Sequence, residues 1–251
     1  MKNVLIGLLV CCVFGCSTNT KREAPKTAST STNAVTADDK TYLDLQNFYF
    51  PLSDTVMPTT YVYEVLTRSK EMKDDRYFEF LKFKRMEDGN YVFTRFEKSM
   101  NLIDSMIFNL DASGANVVKH YIKTQDNNFV EADVSPSLLY PWKREVNARM
   151  TNEFSYASKV NGQQTKTSIR VNSGFVGFED VPNMFSEKKV CAKIVHQTQA
   201  KFQLTSPPKE VMYTSKGENI NLIGIGLYKS IEMNNHGDTT IKKLVEIRQE
   251  E

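Results

Sequence analysis

Three histidines, His120, His196 and His236, and one cysteine in the body of the chain, Cys191, are the side chains suited to nucleophilic, acid–base or zinc chemistry. Their spacing argues against each in turn. No His-x-x-x-His or Cys-x-x-Cys pair occurs, so no zinc site is built locally and no metal is expected. Cys191 and His196 suggest a thiol–imidazole dyad, but five residues apart on one strand they face opposite ways, roughly 16 Å apart at about 3.3 Å per residue. No Gly-x-Ser-x-Gly nucleophile elbow is present. Carboxylates occur at Asp74-Asp75, Glu87-Asp88, Glu131/Asp133 and Glu179-Asp180, all where turns or strand ends are expected. Two of them meeting at a rim could hydrolyse an envelope polymer as general acid and base, which is the enzymatic alternative. Asp126, Asn127, Asn128 and Glu131 offer oxygen ligands without the spacing or the glycine of an EF-hand loop. No cofactor is expected either. Gly224-x-Gly226 runs on into Leu227-Tyr228-Lys229 as a strand, whereas a dinucleotide fingerprint needs a third glycine opening a helix.

The thiol with a defined chemistry is Cys16. Lys2, an apolar run over residues 4–14 and the small Gly15 precede it. That run is too short to anchor in a bilayer and has the form of a secretory signal. The Gly15-Cys16 junction resembles the lipobox of bacterial lipoproteins, which implies cleavage before Cys16 and lipidation of its thiol. Cys11 and Cys12 are preceded by the bulky Leu9 and Val10, where a small residue is wanted. The expected organisation is a signal peptide over residues 1–15, a lipidated Cys16 with a Ser/Thr-rich tether to residue 40, and a single β-rich domain over residues 41–251. The tether has Val35 as its only aliphatic residue larger than alanine, so it cannot offset the entropy of ordering. Neutral Ser17 and Thr18 follow the cysteine without an acidic cluster, which favours the periplasmic face of the outer membrane over the cell surface. Thr55, Ser105 and Thr239 each follow an aspartate in the Asp-(Ser/Thr) pattern of periplasmic O-glycosylation in some Gram-negative bacteria.

A net charge of +2 argues against nucleic acid as a partner, because phosphate binding shows as a concentrated basic surface. With only Cys191 left in the folded part, no intramolecular disulfide can form, and core packing with backbone hydrogen bonds must hold the domain. Residues 190–204 alternate most clearly: Val190, Ala192, Ile194, His196, Thr198, Ala200, Phe202 and Leu204 share one face. Further strands are predicted over residues 61–67, 76–84, 91–96, 102–110, 117–123, 152–160, 165–176, 219–233 and 241–247. Asn161-Gly162 is the strongest hairpin signal, since a type I′ turn needs positive φ at both central positions. Pro136, Pro141 and Trp142 mark an irregular excursion with room for a helical turn. The fold class expected is mainly β: about ten antiparallel strands in a curved meander, as half-barrel, barrel or sandwich, with little helix.

Tyr49-Phe50-Pro51-Leu52, followed by Tyr61-Val62-Tyr63-Glu64, resembles the opening of a group of uncharacterised secreted bacterial β-proteins. Gly224-Ile225-Gly226-Leu227-Tyr228-Lys229 resembles a late strand of the same group, which is related to DUF3108-like and TapB-like domains. Tyr61 stands where that group has Trp, and Pro58-Thr59 replace its Gly-Asn pair. The resemblance implies a curved antiparallel sheet and an exported location, and it brings no chemistry. With 15 Phe and 11 Tyr, the aromatic load fits either a packed core or an apolar groove for a lipid, an acyl chain or a peptide. His196, Phe202 and Trp142 are the candidate groove residues. The function expected is therefore a non-enzymatic module that binds an apolar ligand or a partner protein and is held to the outer membrane through its N-terminal lipid.

Overall fold

Alternation gives each strand one apolar face, and a long meander buries such faces by curling round on itself. The computed structural model describes residues 35–37, 40–49, 58–69, 73–97, 99–124, 127–160, 162–182, 188–205 and 208–249. Cys16 and Thr55 lie outside them. Strands β1 (Val35–Ala37) and β2 (Lys40–Asp44) lead into one helical turn, α1 (Gln46–Tyr49). A first meander holds β3 (Thr59–Arg68), β4 (Asp75–Arg85), β5 (Tyr91–Phe96), β6 (Leu102–Leu110) and β7 (Gly114–Lys123). Short strands β8 (Phe129–Glu131), β9 (Asp133–Ser135), β10 (Leu138–Pro141) and β11 (Lys143–Glu145) follow. A second meander holds β12 (Arg149–Val160), β13 (Gln163–Pro182), β14 (Lys188–Thr205), β15 (Pro208–Leu222), β16 (Gly226–Asn234) and β17 (Thr239–Gln249).

Pairing of β3 with β17 joins the two meanders into one antiparallel sheet, ordered β10-β7-β6-β5-β4-β3-β17-β16-β15-β14-β13-β12-β9 with β8 also on β7. The mainly β class with little helix is thus found, but seventeen strands are described where about ten were expected. Fourteen lie in this sheet, and β1, β2 and β11 form a second, three-stranded one. The additional strands come from residues 35–44, from the division of residues 219–233 and from residues 129–145, where the prolines do not break the chain. Pro136 lies between strands and Pro141 ends a short edge strand, positions that need no amide donor. The helical turn lies at α1 instead. The predicted strand 219–233 is in fact a hairpin, because Gly224 (φ 71°) and Gly226 (φ 93°) supply the left-handed backbone of a tight turn. Val160 and Gln163 are register partners and Gly162 has a positive φ of 80°, as a tight hairpin requires, while Asn161 lies outside the described residues.

The sheet is nearly closed, and one run of chain makes the seam. Phe129–Glu131 pairs with β7, the Ala132 amide donates to the His120 carbonyl at 2.8 Å, and Asp133–Ser135 pairs with β12. The fully buried Asn152 of β12 then donates from Nδ2 to the carbonyls of Pro136 and Leu138, both at 3.2 Å. Inside lie Phe83, Phe108, Phe175, Ile194 and Leu244, all essentially inaccessible. Ala192, Ile194, His196, Thr198 and Ala200 are buried along β14, in keeping with the alternation, whereas Val190 is exposed and Phe202 half-buried. One end is stoppered by α1. The Gly224 amide donates to the Asn47 carbonyl at 2.7 Å, and Trp142 Nε1 donates to the Asp111 carbonyl at 2.8 Å. Among the described residues, no helix is long and apolar enough to cross a membrane.

Candidate functional site

The interior carries a belt of charge, roughly one residue per strand. Register places Glu232 of β16, Lys242 of β17, Glu79 of β4, Arg95 of β5, Asp104 of β6 and His120 of β7 on the inward face. Lys242 Nζ lies 2.5 Å from Glu79 Oε2, with side chains 8% and 2% exposed. Arg95 clasps Asp104 with two nitrogens, its Nε donating to Oδ1 at 3.2 Å and its Nη2 to Oδ2. Burial pushes the Asp104 carboxyl up, but the Arg95 guanidinium, with the His120 ring beside it, pulls it further down, so it is held below the usual carboxylate range. His120 Nε2 is 4.0 Å from Asp104 Oδ2, an ion-pair distance rather than a hydrogen bond, and the ring stands edge-on to Phe154 at 5.8 Å. Glu232 is pushed up by burial, with Ser215 Oγ donating to its Oε1 and Lys242 tempering the shift. Unpaired, any of these charges would be expensive to bury. Paired, Lys242 with Glu79 and Arg95 with Asp104 offset each other's burial in an aromatic interior.

Between this stripe and the stopper lies a cavity of about 100 Å³. Tyr61, Tyr63, Leu81, Phe93, Met106 and Phe108 form its apolar wall. Tyr49, Tyr140 and Ile225 border it from the stopper side, with the Tyr49 and Tyr140 rings 5.1 Å apart. Glu79, Arg95, Asp104 and Lys242 form the polar side together with Asn219 and Asn221. Burial pushes the Tyr49 phenol up to about 12, against the pull of the nearby Arg144, and burial also pushes Tyr61 up. Both remain neutral at any ordinary pH. Tyr63 is pinned by donating its hydroxyl proton to the Leu227 carbonyl at 2.9 Å.

The residues singled out in the sequence lie elsewhere. His196 is buried in β14 over Gly217, with Nδ1 unpartnered among the described residues, and burial depresses it to about 4. Phe202 packs half-buried against the core, and Trp142 braces the stopper; none of the three lines the cavity. Ser105 lies within β6 and Thr239 begins β17. His236 is exposed in its turn. None of the carboxylate pairs noted at turns reaches the cavity. The carboxylates that do line it, Glu79 and Asp104, stand singly within strands rather than in clusters at turns. Their signal was parity: Glu79 shares its face with Leu81 and Phe83, Arg95 with Tyr91 and Phe93, and Asp104 with Met106 and Phe108. Among the described residues, no three His, Cys, Asp or Glu side chains converge on a metal-sized position.

No known protein family matches the sequence, and no curated protein does. Solved structures do. A candidate exported protein with a YmcC-like fold from Bacteroides fragilis is 12% identical, with a TM-score of 0.48, over 80% of this chain and 99% of its own. A candidate lipoprotein from Parabacteroides distasonis is 10% identical, with a TM-score of 0.45, over 80% and 98%. A LolA superfamily protein from Nitrosomonas europaea is 11% identical, with a TM-score of 0.31, over 82% and 90%. At these values the chemistry of the cavity has to be read from its own geometry.

Proposed function

We propose that this chain is a non-enzymatic binding module that receives an apolar group inside its β-barrel and is tethered by lipid on Cys16 to the periplasmic face of the outer membrane. The cavity carries the reading: an apolar wall of six side chains, four of them aromatic, borders a space of about 100 Å³, room for a ring or a few methylenes. The two carboxylates in that wall are each engaged by a cation, Glu79 by Lys242 and Asp104 by Arg95, which suits them to building the wall rather than to proton transfer. The likeness of the Tyr49 and Gly224 segments to DUF3108-like and TapB-like domains belongs with this reading, as do the tether over residues 17–40, of which residues 35–37 and 40 are strand, and glycosylation at Thr55, Ser105 or Thr239.

The test of binding uses toluene as a probe, followed by ligand-observed NMR. Wild-type protein should bind it, and Met106→Trp, which fills the cavity, should not. Indifference of toluene binding to Met106→Trp overturns the assignment. The anchor is tested separately: Cys16→Ala should abolish palmitate labelling and sedimentation with membranes, and labelling that persists removes the lipid from the proposal.

A further inference from the structure

One residue of the cavity lining carries a buried polar atom without a partner among the described residues. Asn221 is 7% exposed and lines the cavity, and its Oδ1 accepts no hydrogen bond among the described residues. Register supports the inward orientation, since Asn221 pairs with Ala192 on one side and with Leu227 on the other, and Leu227 also lines the cavity. A buried amide oxygen with no donor forfeits hydration without replacement, and such an atom in a native fold calls for an explanation.

We infer that Asn221 Oδ1 is the recognition point for a hydroxyl group on the apolar ligand, a claim that rests on the binding role proposed above. The partner must donate, because a carbonyl oxygen only accepts. It must be neutral, because the formal charges around the cavity cancel in pairs, Lys242 against Glu79 and Arg95 against Asp104. A ligand charge would enter a low-dielectric space without a counter-charge of its own. It must also be small. A hydroxyl adds a single heavy atom to a ring or short chain in about 100 Å³, whereas an amide also brings a carbonyl that needs a donor. The ligand class is therefore an apolar body with a hydroxyl, such as a phenol or an alkanol. Discrimination against the analogue lacking that hydroxyl follows, since such an analogue leaves the buried oxygen unpaired.

The matched probes are toluene and p-cresol, which differ by the hydroxyl. Isothermal titration of the wild-type domain should show p-cresol binding at least tenfold more tightly. Asn221→Leu should erase that preference, and Asn221→Asp, which keeps an acceptor, should retain it. A second readout needs no variant: the Asn221 side-chain amide resonances should shift distinctly further on adding p-cresol than on adding toluene. Equal affinities for the two probes, or a preference that survives in a folded Asn221→Leu protein, overturn the assignment of Asn221 and leave cavity binding intact. Failure of both probes to bind brings down cavity binding itself.

Discussion

Lys242 Nζ and Glu79 Oε2 meet at 2.5 Å inside the barrel although 163 residues separate them along the chain. Strand β3 lies between their strands, and the Lys242 ammonium sits 5.9 Å from the centre of the Tyr63 ring on that strand. Removing one partner strands the other charge in the interior. Glu79→Met and Lys242→Met should each cost about 3–5 kcal/mol, while the double change should cost far less than the sum. A double-mutant cycle by urea unfolding measures this, and additive losses would show that the pair does not act as a unit.

Acid should weaken the fold through His196. Burial holds its folded pKa down to about 4, from an ordinary 6.5, so between those values the unfolded chain binds more protons. The His196 contribution is therefore complete above pH 6.5 and declines as pH falls towards 4, by about 3 kcal/mol at roughly 1.4 kcal/mol per pKa unit. Asp104, whose folded pKa is depressed, adds a loss at still lower pH. Glu232, raised by burial, works in the opposite sense and gains stability as it protonates. His196→Gln should flatten the dependence of the urea midpoint on pH between 6.5 and 4, and an unchanged slope would assign the acid limb to other groups.

Two glycines in one turn separate strain from contact. Gly224 and Gly226 both have positive φ, but a Cβ on Gly224 would meet nothing within 4 Å, whereas on Gly226 it would lie 2.6 Å from the Tyr49 carbonyl oxygen. Gly224→Ala should cost about 1–2 kcal/mol, the usual penalty for a side chain in the left-handed region. Gly226→Ala should cost at least about 2 kcal/mol more, because Tyr49 and the stopper must shift. Equal melting temperatures would mean that the stopper yields freely.

Phenylalanines on the inward face should differ with depth. Phe83, 1% exposed and stacked on Tyr91 with ring centres 5.4 Å apart, should cost about 3–5 kcal/mol on change to alanine. Phe202, half-buried towards the far end of β14, should cost about half as much or less. Equal losses in thermal unfolding would show that the barrel is sealed at both ends.

Alternation made the long strands legible. The 190–204 pattern foretold the buried face of β14 from Ala192 to Ala200, and Asn161-Gly162 foretold its hairpin, since both signals are local. Strands β8 to β11 were not legible, because three- and four-residue strands have too few positions to show a period and are held by partners far along the chain. The hairpin at Gly224 was missed because an apolar strand runs into the turn and another runs out, so the apolar signal never lapses. The cavity was hidden for a related reason. An aromatic residue that lines a space and one that fills it look alike in sequence, and only register distinguishes Phe93, which borders the cavity, from Trp142, which does not.

The β3–β17 ladder makes the last strand of the chain the neighbour of the first long one, with Thr59 opposite Gln249. Local hairpins can form early on either side, but the cylinder cannot be completed until residues 239–249 arrive. Such long-range closure slows folding, because the entropy of bringing the ends together is spent before the pairing rewards it. A chain stopped before Thr239 would present two bare edges, on β3 and on β16, each a template for pairing with another copy. A truncated product would therefore be recognisable by aggregation rather than by a weakened barrel.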